Sequence, residues 1–201
     1  MEILETIGNL FPCGRLVSLG HALFLHAQSG GISDVVLDES SIEENGDEVR
    51  DLRLYREERP PAIFAPYLQN GLKTVDYWSD IRWTAPSMLV AHNGCSAPGR
   101  ARDGSGVDML ASHLLTPESQ HSTHYFYAHS RNYRHDDDEV DEIYRRWQRA
   151  ALRDEDSLVA EAIDANLAEA AEHDIRMVML STDQSGMRAN RIVDRLAAAE
   201  A

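Results

Sequence analysis

Cysteine is almost missing from this sequence. Cys13 and Cys95 stand alone, with no CxxC pair. That excludes a disulfide framework and a cysteine-ligated zinc or iron–sulfur centre built within the chain, and it predicts a reducing, cytoplasmic setting. Positive charge is also scarce: 19 Lys and Arg stand against 34 Asp and Glu, a net charge of -15. Phosphate backbones and anionic lipid surfaces need clustered cations, so nucleic acid and membranes are not expected as partners. No apolar run approaches the roughly 18 residues of a membrane span. The acidic start "MEILETIGNL" lacks the basic residues and apolar core of a secretory signal. There is no GxSxG, no glycine-rich phosphate loop, no local Ser/His/Asp signature and no internal repeat.

What is present divides into three textures within one expected domain, residues 1–201. Residues 1–27 read as mostly helical, broken at "FPCG" by Pro12 and Gly14. From 33 to 132 come short runs rich in β-branched and aromatic residues: "SDVVLDES", "DLRLYRE", "AIFAPYL", "TVDYWSDIRW", "SMLVAHNG", "VDMLASHLL" and "STHYFYAHS". Turn residues in "ENGD", "QNG" and "APGRARDGSG" separate them. Successive strands without intervening helices predict an antiparallel sheet. Residues 138–200 read as helices. Asp136 to Asp138 suit a first helical turn, where the dipole favours negative charge. Val140, Ile143, Tyr144, Trp147 and Ala151 then recur at helical spacing, and a last helix is expected from about 188 with Ile192, Val193 and Leu196 inward. The "RMVML" between them reads as strand or buried coil. The layout is α+β, a sheet wrapped around helices.

Within this frame the histidines are the candidates for chemistry. His21 and His26 in "GHALFLH" are five positions apart, and five residues of regular helix rotate a side chain by about 140°. By spacing alone they read as packed residues; a bulged helix would bring both rings to one ion. Asp183 in "MLSTDQSG" follows an apolar run and precedes a helix, so it reads either as a helix cap or as a third ligand. Two imidazoles and one carboxylate on one face suit a non-haem Fe(II) centre with open positions. His113 lies at a strand end, where it reaches a ligand or caps a turn. His121 and His124, three apart in a strand, face opposite sides. His92, His129, His135 and His173 read as solvated residues near element ends. The run Asp136 to Glu139 lacks the spaced ligands of a calcium loop, and nothing nearby activates Cys13.

Taken together, "LGHALFLH", "VDYWSDIRWTAPSMLV", "HLLTPESQHSTHYFYAHSRNY" and "MVMLSTDQSGMRANRIVDRL" resemble the C-terminal catalytic domain of Rieske-type non-haem iron oxygenases. The nearest group is the vanillate and dicamba O-demethylases. The resemblance covers about residues 8 to 199, with the "LTPE" to "HYF" segment its most specific block. It implies a helix-grip fold, a curved antiparallel sheet embracing a long C-terminal helix. It also implies iron ligands at His21, His26 and Asp183, on an iron-ligand helix within 1–27, and His113 and Ala91 in the substrate pocket. Ser18 takes the place where the family carries an aspartate that connects the iron to a neighbouring subunit's Rieske cluster. The family's N-terminal Rieske domain, with its C-x-H and C-x-x-H ligands, has no counterpart in these residues, so no 2Fe-2S cluster is expected in this chain.

The expected activity is therefore oxidation of a small aromatic substrate, a methyl ether or a ring carbon. Dioxygen would be activated at a mononuclear Fe(II), with electrons from NAD(P)H through a reductase and a separate Rieske centre or ferredoxin. The resemblance implies a head-to-tail homotrimer. Two other readings stand beside it: a helix-grip module or truncated oxygenase that binds an aromatic without redox chemistry, favoured by Ser18, and a hydrolase using zinc on the same trio.

Overall fold

The computed structural model describes residues 5–7, 37–119, 122–158, 161, 162, 166, 169, 173 and 183–200. Its centre is one antiparallel sheet in the order β1-β7-β6-β5-β4-β3-β2. The strands are β1 Glu5–Ile7, β2 Glu39–Asn45, β3 Glu48–Glu58, β4 Val75–Thr84, β5 Met88–Ser96, β6 Val107–Pro117 and β7 Thr123–Arg131. From β2 to β7, sequence neighbours are sheet neighbours, as expected for a meander of short connections.

Five of the seven strand-like runs read from the sequence fall on β3 to β7; "SDVVLDES" meets β2 only at its end. "AIFAPYL" does not form a strand. It folds into a turn and a 3-10 segment, Ala65–Tyr67. Pro61 and Pro66 lack the N–H groups a ladder needs, and the Pro61 carbonyl accepts from the backbone N–H groups of Phe64 and Ala65 at 2.9 Å. The N-terminal region also departs from expectation, since Glu5–Ile7 is a strand and pairs with Tyr127 to Tyr125 of β7. Residues 8–36 lie outside the described residues.

The side-chain period of two sorts each strand into a concave and an outer face. On the concave face Val75, Tyr77, Cys95, Val107 and Met109 form the main core with Val140 and Tyr144. These last two belong to α1, Asp138–Arg149, whose N-cap Asp137 accepts from the backbone N–H groups of Glu139 and Val140. The helix continues as a π-helical stretch, Ala150–Asp156, which presents Leu152 to Tyr125 and Tyr127. The last helix, α2 Gln184–Glu200, starts four residues before the predicted boundary. It buries Ala189 and Ile192 against Val49 and Trp83, with Val193 and Leu196 packed alongside. A curved sheet gripping its C-terminal helix is the helix-grip arrangement.

The outer face holds its own packing. Trp78 is almost wholly buried there and lies across Gly94, its register partner on β5. A Cβ at Gly94 would fall 2.4 Å from the Trp78 ring and 2.8 Å from the Val107 carbonyl oxygen. Overpacking of this kind costs about 1–3 kcal/mol. Gly94→Ala is therefore expected to lower the urea midpoint with an unchanged slope, measured by equilibrium denaturation.

Candidate functional site

Two register rows build the wall that faces the helices. One runs Trp83, Leu89, His113, Tyr127 across β4, β5, β6 and β7; the next runs Ile81, Ala91, Ala111, His129. Ile81, Ala91 and Ala111 form a small buried cluster with Leu89 beside it. Ala91 and Ala111 are the small side chains of this row, set beside the larger ones of the flanking row. At one end of these rows Ser185 and Gly186, in the first turn of α2, line a cleft with Trp83, Leu89 and Asp51.

Asp183 immediately precedes that turn and is half-buried. Its own backbone is in 3-10 conformation, leading into α2. Two buried polar atoms at the cleft, the Trp83 indole nitrogen and the Ser185 hydroxyl, have no hydrogen-bond partner among the described residues. Asp51, also lining the cleft, is buried but held by a two-point pairing with Arg53 at 3.0 and 3.1 Å.

His113 is on the concave face, in mid-strand rather than at a strand end. Its Nδ1 lies 2.5 Å from the phenolic oxygen of Tyr125, which is itself buried. A phenol donating to Nδ1 leaves the proton of a neutral imidazole on Nε2 and fixes the ring as a donor on that side. Ala91 is buried one register row away. The structure thus brings His113 and Ala91 together on one wall, with the start of α2 at its end.

His129 is not solvated, contrary to the sequence expectation. The strand continues to Arg131, whose guanidinium is tied to Asp141 of α1, so position 129 faces inward. There its ring is surrounded by those of His113, Tyr127, Tyr144 and Trp147, at centroid distances of 6.1 to 6.4 Å. His92 is also half-buried, in mid-β5 on the outer face, 3.6 Å from Asp108. Asn93, not singled out from sequence, shares the concave face with Ala91 and accepts a long hydrogen bond from the Tyr77 hydroxyl at 3.5 Å. Strand alternation from Ala91 was the signal that could have found it. His135 and His173 are exposed as expected. His21, His26 and Ser18 lie outside the described residues.

The donor chemistry of His21, His26 and Asp183 fits a divalent first-row metal: two neutral nitrogens, one anionic oxygen and half of an octahedron left open. Asp183 meets its part of that requirement, being partly withdrawn from solvent two residues before Ser185 of the largely apolar cleft.

Comparison with known proteins gives this wall a context. Among solved structures, dicamba monooxygenase bound to 3,6-dichlorosalicylic acid superposes with a TM-score of 0.85 at 28% identity, over 99% of this chain and 59% of that one. Dicamba monooxygenase with non-haem iron and dicamba superposes with a TM-score of 0.75 at 27% identity, over 100% of this chain and 59% of that one. In sequence, the oxygenase component of dicamba O-demethylase from Stenotrophomonas maltophilia is 33% identical over 93% of this chain and 55% of its own length. A vanillate O-demethylase oxygenase subunit from a Pseudomonas species is 29% identical over 92% of this chain and 58% of its own length. The chain thus spans a little over half the length of these relatives. Residues 16–199 match the family model of the vanillate O-demethylase oxygenase C-terminal domain, and with that match the chain belongs to this family.

Proposed function

We propose that this chain is the catalytic domain of a Rieske-type aromatic monooxygenase of the O-demethylase kind, with a mononuclear Fe(II) held by His21, His26 and Asp183. The observation that carries the reading is the register row from Trp83 to His113. It links the cleft at the first turn of α2, next to Asp183, to a wall of histidine and aromatic side chains suited to a planar ring. When bound, the iron supplies the activation of dioxygen.

The chain's own residues do the rest. Ala91 and Ala111 leave room for an aromatic ring on the wall, and Ile81 and Leu89 exclude water from its faces. His113, held by Tyr125, donates to an oxygen of the substrate, a carboxylate, phenolate or ether. That hydrogen bond fixes which edge of the ring is turned toward Asp183. Electrons come from a Rieske centre on a partner chain or on a further part of the protein, fed by a reductase.

The test is anaerobic reconstitution with Fe(II), metal analysis, and then oxygen uptake with an aryl methyl ether, a supplied Rieske component and its reductase. Stoichiometric iron with oxygen consumption and formaldehyde release supports the reading. Aromatic binding without metal supports a non-redox module, which the serine at position 18 would suit. Zinc retained in place of iron, with hydrolysis, supports a hydrolase. For His113→Ala, loss of a hydrogen bond to a charged group, about 1.5–3 kcal/mol, is expected to weaken binding of an aromatic acid by roughly tenfold to a hundredfold. Isothermal titration of iron-free protein measures it.

A further inference from the structure

The rings around His129 do not stop at the pocket wall. Tyr125 stands 6.2 Å from Tyr127, and Tyr127 stands 6.3 Å from His129. His129 in turn lies 6.1 Å from Trp147 and 6.4 Å from Tyr144, which are 6.4 Å from each other. The hydroxyls of Tyr144 and Tyr133 are hydrogen-bonded, and Tyr133 stacks on Tyr67 at 4.7 Å. Tyr67 and Tyr133 are half-exposed, whereas Tyr125, Tyr127 and Tyr144 are buried. Phenol and indole side chains, with the His129 ring bridging Tyr127 to Trp147 and Tyr144, therefore form a file from the substrate wall to the protein's rim. Its inner end has a built-in proton acceptor, the His113 Nδ1 at 2.5 Å from the Tyr125 hydroxyl.

We propose that this file is a hole-transfer route that drains oxidising equivalents from the oxygen-activating site to the surface. The inference rests on the proposed iron-dependent function, which supplies the oxidant: a one-electron oxidant formed when dioxygen is reduced without an oxidisable substrate in place. That oxidant takes one electron from Tyr125, whose phenolic proton passes to His113. Each later hop moves one electron inward, from the phenol or indole nearer the rim to the phenol nearer the pocket, crossing the His129 ring without oxidising it, and Tyr125 regains its electron and its proton. The hole ends on Tyr133 or Tyr67, which loses one electron and releases its phenolic proton to water. A soluble thiol or ascorbate restores it with one electron and one proton. Only rings and hydroxyls at these spacings are needed, so the route exists whether or not metal is bound.

Pulse radiolysis of the metal-free chain with azidyl radical tests it. That oxidant attacks indoles, and Trp147 is half-exposed while Trp78 and Trp83 are almost wholly buried. The expected result is loss of indolyl absorbance with matching growth of phenoxyl absorbance, first order and independent of protein concentration. Trp147→Phe should lose this phase. Tyr144→Phe should keep a slower one through the inner branch to Tyr127 and Tyr125, and Tyr127→Phe combined with Tyr144→Phe should lose it. A wild-type chain without the phase overturns the proposal. So does its survival in Trp147→Phe or in the double variant, or its complete loss in Tyr144→Phe alone. Circular dichroism confirms that each variant is folded before irradiation. Because no metal is present, failure here leaves the iron reading to be judged by its own metal analysis.

Discussion

Asp183→Asn is expected to abolish stoichiometric iron binding while leaving the thermal stability of the chain nearly unchanged. Two readings of Asp183 compete at the start of α2, helix cap and metal ligand, and they respond differently to the same substitutions. Asparagine is as good a cap as aspartate, whereas alanine in place of either costs about 0.5–2 kcal/mol. A ligand needs the anionic oxygen. Loss of a mere outer-shell partner typically costs 10–100-fold in metal affinity, so loss of the one carboxylate ligand should cost more than about 100-fold. Asp183→Asn with full stability and no iron therefore identifies a ligand. Iron retained in Asp183→Asn, with a lower melting temperature in Asp183→Ala, identifies a cap and removes the iron reading. Metal analysis after anaerobic reconstitution, paired with calorimetry, measures both arms. His21→Ala should empty the site equally.

How far this site was legible in the sequence depended on which physical signal each residue carried. The strands β3 to β7 were legible because their runs of β-branched and aromatic residues are bounded by turn residues, and in the fold their side chains alternate between a concave and an outer face. The same alternation places Ala91 and His113 together on one wall. His129 was misjudged for the opposite reason. Ser130, Arg131 and Asn132 look like a polar turn, yet Arg131 is kept in the strand by its ion pair with Asp141 of α1, so the strand runs on and His129 stays inside. The start of α2 was set too late because Gly186 reads as a helix breaker. In the fold it is buried inside the helix, lining the cleft with Trp83 and Leu89. β1 was missed because a three-residue strand has no periodicity to read. His21 and His26 carried no helical-face signal at all, since five residues do not return to one side of a helix; their role rests on family resemblance.

Asp80→Ala is expected to be the most destabilising single change on the outer face, by about 3–5 kcal/mol, the usual cost of removing one partner from a buried ion pair. Asp80 on β4 is almost fully buried. It accepts two hydrogen bonds from Arg50 of β3 at 2.8 Å and one from Arg102 at 2.5 Å, with Arg82 at 3.9 Å. Without the carboxylate, Arg50 and Arg102 are left crowded together with no anion between them. A total stability of about 5–15 kcal/mol leaves little margin for such a loss. Arg102 lies in the β5–β6 loop, so the variant should also become sensitive to trypsin at Arg100 and Arg102, which limited proteolysis detects. The pH dependence follows from the same geometry. Burial by itself would raise the Asp80 pKa, but the hydrogen bond from Arg50 and the charges of Arg102, Arg50 and Arg82 outweigh it and hold the group below its ordinary value. A carboxylate depressed on folding contributes stability that is fully present above its unfolded pKa of about 3.9. That contribution fades as pH falls through the folded value, because the unfolded chain binds the proton first. The wild type should therefore lose stability steeply on acidification below about pH 4, and Asp80→Ala, already without that contribution, should show a shallower acid limb. Urea midpoints taken from neutral pH down to that range compare the two slopes. Parallel acid limbs would mean that the three arginines do not depress Asp80 in the folded chain.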